Sequence, residues 1–462
     1  MTAISTLARD PALPHLPRAL DAERMRREFA RRLNCATHDI TACAIDRVRH
    51  KPGSKALISY RLTLRPAAGE HEGTQLLTAR LYPLGNSSER FRKASRECLR
   101  PPAFGPPLMH VESLGMVVWA YPNERKLREI VTLEDVQTLR NEILPALVVA
   151  HWGRDAAILC VRRDIVHYVP EHGLAARVDV ALKLTSGRRR TWCLFAKHYP
   201  DDEGHSTFRK MQRLWRSRAR TNGSLEMAQP LAYQHERRIL WQEAISGPTL
   251  ANVLDDDPSW MPRAGRAIAA LHGTRIRAEQ QLTLADLVAR LQAARVMLHR
   301  ALPGLASRLD AVVDRLLLQT VSLRLGRGAT LHADLHPKNL LATRSAIALI
   351  DLDKVAFGPP LADIGSMIAA LYANALLAGG MPSRAQPKIA SFLAGYRAHS
   401  SFLVTAFELG WYTAAALISE RAYRSITRLK AGRLDIVADL IDLADRCSAG
   451  EFAWLPRDNR HA

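Results

Sequence analysis

Two kinds of hydrophobic pattern divide the chain near Leu250. Before it, short apolar runs are separated by turns that carry glycine or proline, which is typical of β-strands. After it, apolar residues recur at three- and four-residue spacing, the period of a helix that packs on one face. This helical spacing is found in residues 263–271, 284–299, 308–318, 389–396, 402–429 and 434–447. The pattern predicts a strand-rich first half followed by a helical second half.

The strand-rich half contains an internal repeat. Residues 77–83 (LTARLYP) match 194–200 (LFAKHYP), and further matches keep the same order on both sides. These are 48–50 with 165–167, 91–93 with 208–210, Arg96 with Arg213, and 117–119 with 239–241. The pattern in each copy predicts strands, a turn, another strand, a basic helix and two closing strands. A shared order of elements is the signature of duplication, so we expect two related α+β modules in tandem.

A short hairpin is predicted inside the helical half. Two apolar segments, 340–342 and 346–350, flank a polar turn near Arg344 and Ser345. Folding about that turn brings Asn339 and Asp351 together at the open end, because each strand residue spans only about 3.3 Å. Asp334 lies just upstream, in the segment that enters the hairpin.

An Asp, an Asn five residues later and an Asp after a buried strand suit magnesium-assisted phosphoryl transfer. The first carboxylate would orient a substrate hydroxyl and accept its proton. Asn339 and Asp351 would supply two oxygen ligands for magnesium, which also takes phosphate oxygens and water. The alternative is that these are ordinary turn residues, with His332 and His336 packing beside them. A metal site on the two histidines lacks a nearby third soft ligand.

The stretch 332–339 (HADLHPKN) resembles the aminoglycoside phosphotransferase and choline kinase superfamily, relatives of protein kinases. In that family the loop usually reads His-Gly-Asp-x-His-x-x-Asn, so Ala333 here replaces a glycine. The likeness covers roughly residues 160–447 and is strongest in the hairpin. It implies a two-lobed, kinase-like fold that uses ATP and Mg²⁺.

The resemblance also assigns roles to single residues. It implies that Asp334 is the catalytic base and that Asn339 and Asp351 are the magnesium ligands. Asp353 and Asp363 occupy positions that usually brace the loop and begin a helix. His332 and His336 belong to the same motif as supporting residues.

For the nucleotide, the resemblance points to Lys197 at the end of a strand, whose ammonium would meet the phosphates. It also points to the linker between the lobes, where the backbone at Glu243, Ala244 and Ile245 would meet the adenine. Gly247 would then turn the chain toward the helical lobe. In the first copy, Arg80 replaces the lysine, and Tyr121-Pro122 replaces the linker, where proline removes a backbone donor.

Two features depart from the family pattern. The loop 168–173 (YVPEHG) has one glycine, so a backbone cradle for phosphates is less evident. The helix after Lys197 carries Arg209, Lys210, Gln212 and Arg213 where a glutamate partner for the lysine is expected. Glu203 or Glu226 could serve instead, and the sequence does not choose between them.

Charge narrows the choice of partner. The chain has 65 basic and 45 acidic residues in 462, a formal charge of +20, which attracts anions and repels polycations. We therefore expect a neutral or anionic hydroxyl substrate rather than a polycation. Aromatic residues are 6% and no nucleic-acid motif is present, so a nucleic-acid partner is disfavoured. The apolar stretch 367–381 is too short and interrupted for a membrane span.

The expectation is an α+β chain with a two-lobed, kinase-like fold after an additional N-lobe-like domain. Its predicted parts are a loose lead-in (1–20), a non-catalytic copy (21–150), a nucleotide-binding lobe (151–246), a helical catalytic lobe (247–448) and a tail (449–462). The predicted activity is transfer of phosphate from ATP to a small-molecule hydroxyl, such as that of a sugar or amino alcohol. The alternative is a weak or inactive kinase-like binding protein.

Six cysteines without paired CxxC spacing favour a cytoplasmic protein with reduced thiols. The oligomeric state and the role of the first copy are left open.

Overall fold

The computed structural model describes residues 10–33, 38–66, 72–97, 99–127, 130–274, 276, 279–324, 326–344, 346–430 and 432–451. The chain forms two compact units, each built from several segments. Unit 1 comprises Met1–Asp202, Gln234–Ile239 and Ser425–Leu434, and unit 2 comprises Glu203–Tyr233, Leu240–Arg424 and Asp435–Ala462. Both sequence copies begin in unit 1. The domain ranges drawn from the sequence remain predictions.

The first copy is an antiparallel sheet with helices before and after its first three strands. Its strands are β1 (His38–Lys51), β2 (Lys55–Pro66), β3 (Gly73–Leu81), β4 (Leu108–Val111) and β5 (Met116–Ala120), in the order β1-β2-β3-β5-β4. Its helices are α1 (Leu16–Ala19), α2 (Ala22–Arg32) and α3 (Ser87–Arg92). The side chain of Asp21 caps α2 by accepting from the N–H of Arg24. Phe29 of α2 packs edge-to-face on Tyr60 of β2, with ring centroids 5.2 Å apart.

Residues 10–20 are packed rather than loose, so this part of the predicted lead-in is corrected. Leu13 and Leu16 are buried, and the Tyr60 hydroxyl donates to the Ala19 carbonyl at 2.6 Å. The buried Asp10 Oδ2 and His50 Nε2 are hydrogen-bonded at 2.9 Å. The prolines of this segment suggested an irregular chain, but its leucines anchor it to the core. Residues 1–9 lie outside the described part.

A broken helix connects the copies, and the second copy then repeats the strands. The helical segments are α4 (Ile130–Glu134), α5 (Val136–Thr138), a π-helical turn (Leu139–Ile143) and α6 (Leu144–Trp152). The strands that follow are β6 (Ala157–Val169), β7 (Gly173–Lys183) and β8 (Arg189–His198), an antiparallel meander.

The duplication extends to a turn that the sequence match did not include. In the first copy the N–H of Tyr82 donates to Gly115 O at 3.0 Å. In the second, the N–H of Tyr199 donates to Arg238 O at 3.0 Å. Gly115 and Arg238 both have positive φ, 61° and 51°. This equivalence pairs Met116 with Ile239, one residue away from the sequence alignment of 117 with 239.

Unit 2 holds most of the remaining helices. From Glu203 onward they are α7 (Glu203–Trp215), α8 (Arg218–Thr221), α9 (Leu250–Val253), α10 (Trp260–Gly273), α11 (Leu284–Ala301), α12 (Ala306–Gln319), α13 (Pro360–Leu377), α14 (Gln386–Arg397), α15 (Ala406–Ala416), α16 (Tyr423–Thr427) and α17 (Val437–Ser448). The predicted helical segments are confirmed except that residues 402–405 and 434–436 precede their helices, and except at the end of 402–429. There a π-helical turn (Leu417–Ala422) interrupts the helix. Gly265 and Gly395 let α10 and α14 cross closely. A Cβ at Gly265 would lie 2.2 Å from Phe392 O, and a Cβ at Gly395 would lie 2.1 Å from Pro262 O.

Short strands complete the fold. They are β9 (Glu226–Met227), β10 (Pro230–Gln234), β11 (Ile239–Glu243), β12 (Ala329–Leu331), β13 (Leu340–Ala342), β14 (Ile347–Leu349), β15 (Ala356–Gly358) and β16 (Arg428–Leu429). In unit 2, β12 pairs with β15, and β9 joins the β13–β14 hairpin in parallel. In unit 1, β16 pairs with β1, Leu429 opposite Val48. The end of the segment predicted as one helix is therefore a sheet edge.

Helix α13 is the one described helix long and apolar enough to cross a membrane by length and composition. The fold buries 67% of it, as expected for a core helix. Its buried residues include Ile364, Met367 and Ile368, and it packs on α15.

Candidate phosphotransfer site

The predicted hairpin is present in unit 2 and brings the expected residues to one end. Strand β13 pairs antiparallel with β14, with Leu340 opposite Leu349. Asn339 and Ile350 flank that pair, and the N–H of Ile350 donates to Asn339 O at 3.1 Å. Asp351 follows directly. The turn closes through the N–H of Thr343, which donates to Ala346 O at 3.0 Å, while Ser345 lies outside the described residues.

Asn339 is fixed by the backbone of the residue proposed as base. It is only 6% exposed, and its Nδ2 donates to the carbonyl oxygen of Asp334 at 2.9 Å. Its own N–H donates to His336 O at 2.9 Å. Because the amide nitrogen is occupied, Oδ1 is the side-chain atom that remains for a cation. The contact also ties the positions of Asp334 and Asn339 together.

Asp351 has a strained backbone. Its φ and ψ are 57° and 55°, in the left-handed region that costs a residue with a Cβ about 1–2 kcal/mol. Strain of this kind persists where surrounding structure enforces it, often at functional sites. The residue is exposed at the end of β14. That its carboxylate and the Asn339 amide oxygen hold magnesium, which prefers hard oxygen ligands, remains a prediction.

Asp334 lies between two cations. Its carboxylate accepts from Arg424 at 2.7 Å and from Lys354 at 3.1 Å, and its side chain is 18% exposed. Burial favours the neutral acid, but the charges of Arg424 and Lys354 outweigh it and hold the Asp334 pKa well below its ordinary value. Asp334 is therefore a carboxylate throughout the physiological range.

Asp363 braces the loop that precedes Asp334. It lies in the first turn of α13 and is 1% exposed. Its two oxygens accept from the backbone N–H groups of His332 at 2.6 Å and Ala333 at 2.8 Å. These bonds hold Ala333 at φ 58°, where the family usually has glycine. Nε2 of His272 also lies 3.3 Å from the carboxylate.

The two motif histidines have different surroundings. His332 is fully buried, and its Nε2 donates to Ile350 O at 2.9 Å, which links the loop to the end of the hairpin. For His336, burial and then Arg421 lower the pKa to about 3, so its imidazole is neutral. Among the described residues, no group of three His, Cys, Asp or Glu side chains could hold a metal by itself. A nucleotide-bound magnesium needs only one or two protein ligands.

Lys210 is one of the basic residues on the helix where an acidic partner for Lys197 is expected. It belongs to α7, is 4% exposed, and donates from Nζ to the carbonyl oxygen of Asp353. Burial lowers its pKa, which the charge of Asp353 partly opposes. Of the two acids considered for Lys197, Glu203 is exposed, and Glu226 accepts from the Thr343 hydroxyl at 3.0 Å. The acidic partner of Lys197 stays open.

The residues assigned to the nucleotide are divided between the units. Lys197 is on β8 in unit 1, with its ammonium 5.3 Å from the ring centroid of Tyr199. Glu243 ends β11 in unit 2, and Ala244 and Ile245 follow as half-buried coil. That Lys197 meets the phosphates and that Glu243–Ile245 meet the adenine remain predictions.

Gly247 positions the linker against the hairpin. Its φ is 153°, and a Cβ there would lie 2.3 Å from the carbonyl oxygen of Ala342. Next to it, Pro248 O accepts from the N–H of Ala342 at 2.9 Å. The linker is therefore bonded directly to β13, close in sequence to Asn339.

Sequence reasoning missed Arg424 and Lys354. Arg424 is 90 residues from Asp334 in the chain. No spacing rule connects the two, because the contact depends on tertiary packing. Lys354 had a weak signal: it lies three residues after Asp351 in the same loop.

Part of the chain matches a known protein family. Residues 175–402 match the family model described as APH, phosphotransferase enzyme family. This region of the chain belongs to that family. No curated protein matches it in sequence. The expected α+β class is confirmed, and an additional N-terminal antiparallel sheet precedes the region that matches the phosphotransferase family.

Solved structures of phosphotransferases are similar at low identity. A thermostable mutant of aminoglycoside phosphotransferase APH(4)-Ia in its apo form shares 15% identity, with TM-score 0.44, over 67% of this chain and 99% of that one. The amicoumacin kinase hAmiN with AMP-PNP, Ca²⁺ and Ami shares 12%, with TM-score 0.42, over 68% and 96%. A choline/ethanolamine kinase family protein from Mesorhizobium loti shares 13%, with TM-score 0.44, over 67% and 94%.

Proposed function

We propose that this protein transfers the terminal phosphate of ATP to a hydroxyl group of a small molecule, with Mg²⁺ as cofactor. The observation that carries the proposal is the hairpin of unit 2. It presents a carboxylate at Asp334, an amide oxygen at Asn339 and a carboxylate at Asp351 from one short, hydrogen-bonded segment. These are the groups that phosphoryl transfer requires of a kinase-like enzyme.

Each residue has a distinct role in the proposed reaction. The Asp334 carboxylate accepts a hydrogen bond from the substrate hydroxyl, orients it and receives its proton. Asn339 and Asp351 hold the divalent cation, which neutralises charge on the phosphates when bound. Asp363 positions the loop by holding the N–H groups of His332 and Ala333.

The depressed pKa of Asp334 is compatible with this role. Phosphoryl transfer passes through a loose transition state in which the nucleophile needs little deprotonation before attack. The base must chiefly hold the hydroxyl in line, and an ionised carboxylate accepts that hydrogen bond at any physiological pH. Arg424 and Lys354 fix the direction in which the carboxylate points.

A neutral or anionic acceptor, such as a sugar, fits the formal charge of +20 better than a polycation. An amino alcohol with a single amine is also compatible. We further propose that Lys197 contacts the phosphates and that the backbone of Glu243–Ile245 receives the adenine. A cytoplasmic location completes the proposal.

Lys210 favours a second candidate, a kinase-like protein that binds nucleotide with little turnover. Family kinases use an acidic residue of this helix to hold the phosphate-binding lysine, and here a buried lysine bonds to Asp353 O instead. Without that ion pair, Lys197 would be held by other groups, and the rate would depend on how well they do so.

Turnover measurements separate the two candidates. ADP release would be measured with ATP and magnesium across a panel of sugars, amino alcohols and nucleosides. An acceptor of the proposed enzyme stimulates release, and Asp334→Asn lowers that rate by on the order of 10²-fold or more. Asp439→Asn, which removes an exposed carboxylate from α17, is the matched control and keeps the rate. Equal rates in the wild type and Asp334→Asn would refute the enzyme and favour the binding protein.

A further inference from the structure

Unit 1 contains a cavity whose lining is far in sequence from the hairpin. Its volume is about 800 Å³, and it is bordered by β3, β5, α3 and the segment after β5. We call it the basic cavity, because six cationic side chains line it against the two acids Glu97 and Glu124. The six are Lys55, Arg80, Arg90, Lys93, Arg100 and Arg125.

Several of these positive charges are not neutralised. Lys55, Arg90 and Arg100 make no ion pair with any acid in the described part of the chain. Burial and then the charge of Arg80 lower the pKa of Lys55, as expected where cations crowd. Burial raises the pKa of Glu124, which weakens one of the two acids. The cavity therefore has a local excess of positive charge.

Arg80 and Arg125 share one carboxylate. Arg80 Nη1 and Arg125 Nε both lie 2.7 Å from Glu171 Oε1. Burial raises the pKa of Glu171, but both guanidinium groups outweigh it and lower the value to about 2, so the group is ionised. Arg80 Nε is buried and has no acceptor among the described residues. A buried donor without an acceptor is uncommon and needs an explanation, which a bound anion would supply.

The size and the donors of the cavity define a ligand class. Its volume lies within the roughly 300–1,000 Å³ typical of small-molecule sites. Guanidinium groups bind phosphate oxygens in a bidentate manner. Tyr82 and Trp119 also line it and can cover an apolar part of a ligand. Six cationic side chains are more than a ligand with a single carboxylate group would need for charge balance, so a ligand with several negative charges fits better.

We propose that the basic cavity binds a small molecule carrying at least two linked phosphate groups. Its lining residues all belong to the first copy or the segment that follows it, and none of them is assigned to the proposed catalytic centre. It gives a role to the copy that lacks the Asp/Asn loop. Arg80, at the position equivalent to Lys197, becomes an anion ligand of this second site.

Glu171 is an internal competitor for the ligand. It belongs to the β6–β7 turn, where it has φ 58°, and its carboxylate occupies the place of an anion on Arg80 and Arg125. A phosphate that binds these two residues must displace it. Removing the charge of Glu171 should therefore raise affinity, whereas removing cavity cations should lower it. A general effect of surface charge would not give this pair of opposite responses at one site.

The test is binding of radiolabelled pyrophosphate to the full chain by equilibrium dialysis without magnesium. Arg90→Gln/Arg100→Gln should weaken binding about tenfold, because charge-assisted bonds to phosphate are lost. Both residues are exposed and unpaired, so the fold should tolerate the change. The matched control Arg31→Gln/Arg92→Gln removes two exposed arginines of α2 and α3 that do not line the cavity, and should change affinity less than about twofold. Glu171→Gln should bind more tightly than the wild type.

Three results would overturn the inference. They are absence of saturable pyrophosphate binding, equal weakening in both double variants, and binding of single-stranded RNA that pyrophosphate does not displace. Asp334→Asn separates this inference from the proposed function, since it should lower turnover by on the order of 10²-fold or more and leave pyrophosphate binding unchanged. Saturable binding in a chain without phosphotransfer would refute the function and support the cavity.

Discussion

Asp334 is held by Arg424 and Lys354, and this contact has a measurable consequence for pH dependence. Both cations lower the carboxyl pKa, so the acid form gains population only at pH far below that of ordinary assays. The rate of the wild type should therefore show no loss attributable to Asp334 as the pH falls to about 5.

Arg424→Gln removes the stronger of these contacts. Loss of the positive charge raises the pKa of Asp334, so the variant should lose rate on acidification at a higher pH than the wild type does. The measurement is kcat/KM against pH for the wild type and the variant. Arg300→Gln, an exposed arginine at the end of α11, is the control and should leave the profile in place. An unchanged profile in Arg424→Gln would contradict the assignment.

Asp363 allows a prediction about stability. Asp363→Ala removes the acceptors of two N–H groups in the loop before Asp334, and an unsatisfied buried donor costs about 1–3 kcal/mol. We expect a loss of about 2–5 kcal/mol in the free energy of unfolding, measured by urea denaturation. Asp439→Ala, at an exposed position of α17, should cost less than about 0.5 kcal/mol. A similarly small loss in Asp363→Ala would contradict the bracing role.

For single residues, the sequence predicts those of the site that are close together in the chain, but not their contacts with residues distant in sequence. Asp334, Asn339 and Asp351 lie within 18 positions, and a hairpin pattern is enough to bring them together. Arg424 and Lys210 reach the same loop region from α16 and α7, and only packing determines that. Both lie among other basic residues of their helices, and such a pattern carries no sign of a buried contact.

At the scale of elements, α10 and α14 owe their close crossing to glycine. Gly265→Ala would place a Cβ 2.2 Å from the backbone oxygen of Phe392, and backbone cannot move aside cheaply. We expect a loss of about 1–3 kcal/mol in stability from overpacking, measured by thermal or urea unfolding.

Gly273→Ala is the matched control for Gly265→Ala on the same helix. A Cβ added at Gly273 would meet no atom within 4 Å, so the change should be neutral or stabilising by up to about 1 kcal/mol. Equal effects at the two glycines would show that helix propensity, and not the crossing, sets their contribution.

Element boundaries show where a one-dimensional pattern is insufficient. The helical spacing of residues 402–429 continues through a π-helical turn and into β16, because apolar residues suit both a buried helix and a sheet edge. Similarly, the alignment of 117 with 239 is displaced by one residue from the structural match. The turns before β5 and β11 are equivalent through positive φ at a glycine and an arginine, which sequence identity cannot reveal.

At the scale of the whole molecule, the charge of +20 predicts how acceptors respond to salt. Added salt screens repulsion of a cation and attraction of an anion, over a Debye length of about 10 Å at 0.1 M. KM for a polycationic acceptor should therefore fall as NaCl rises, KM for an anionic acceptor should rise, and KM for a neutral sugar should stay constant. Initial rates at a series of NaCl concentrations measure this. A polycation whose KM rises with salt would indicate an acidic acceptor site.

The repeat and the fold class could be predicted because both depend on the order of many elements. The division of the chain between the two units could not be predicted. Residues 234–239 and 425–434 belong to unit 1, although the segments before each of them belong to unit 2. Their sequences are short and carry no linker signal. The basic cavity was also beyond prediction, because its cations come from strands, a helix and connecting segments that are distant in sequence.

The most direct test of the account is the metal dependence of nucleotide binding. Calorimetry would measure ADP affinity with and without Mg²⁺ for the wild type, Asp351→Asn and Asn339→Ala, with Asp439→Asn as control. The account predicts that Mg²⁺ strengthens binding to the wild type and the control, and that this gain falls about tenfold or more in the two site variants. Nucleotide binding that is indifferent to Mg²⁺, or a full gain in Asp351→Asn, would contradict it.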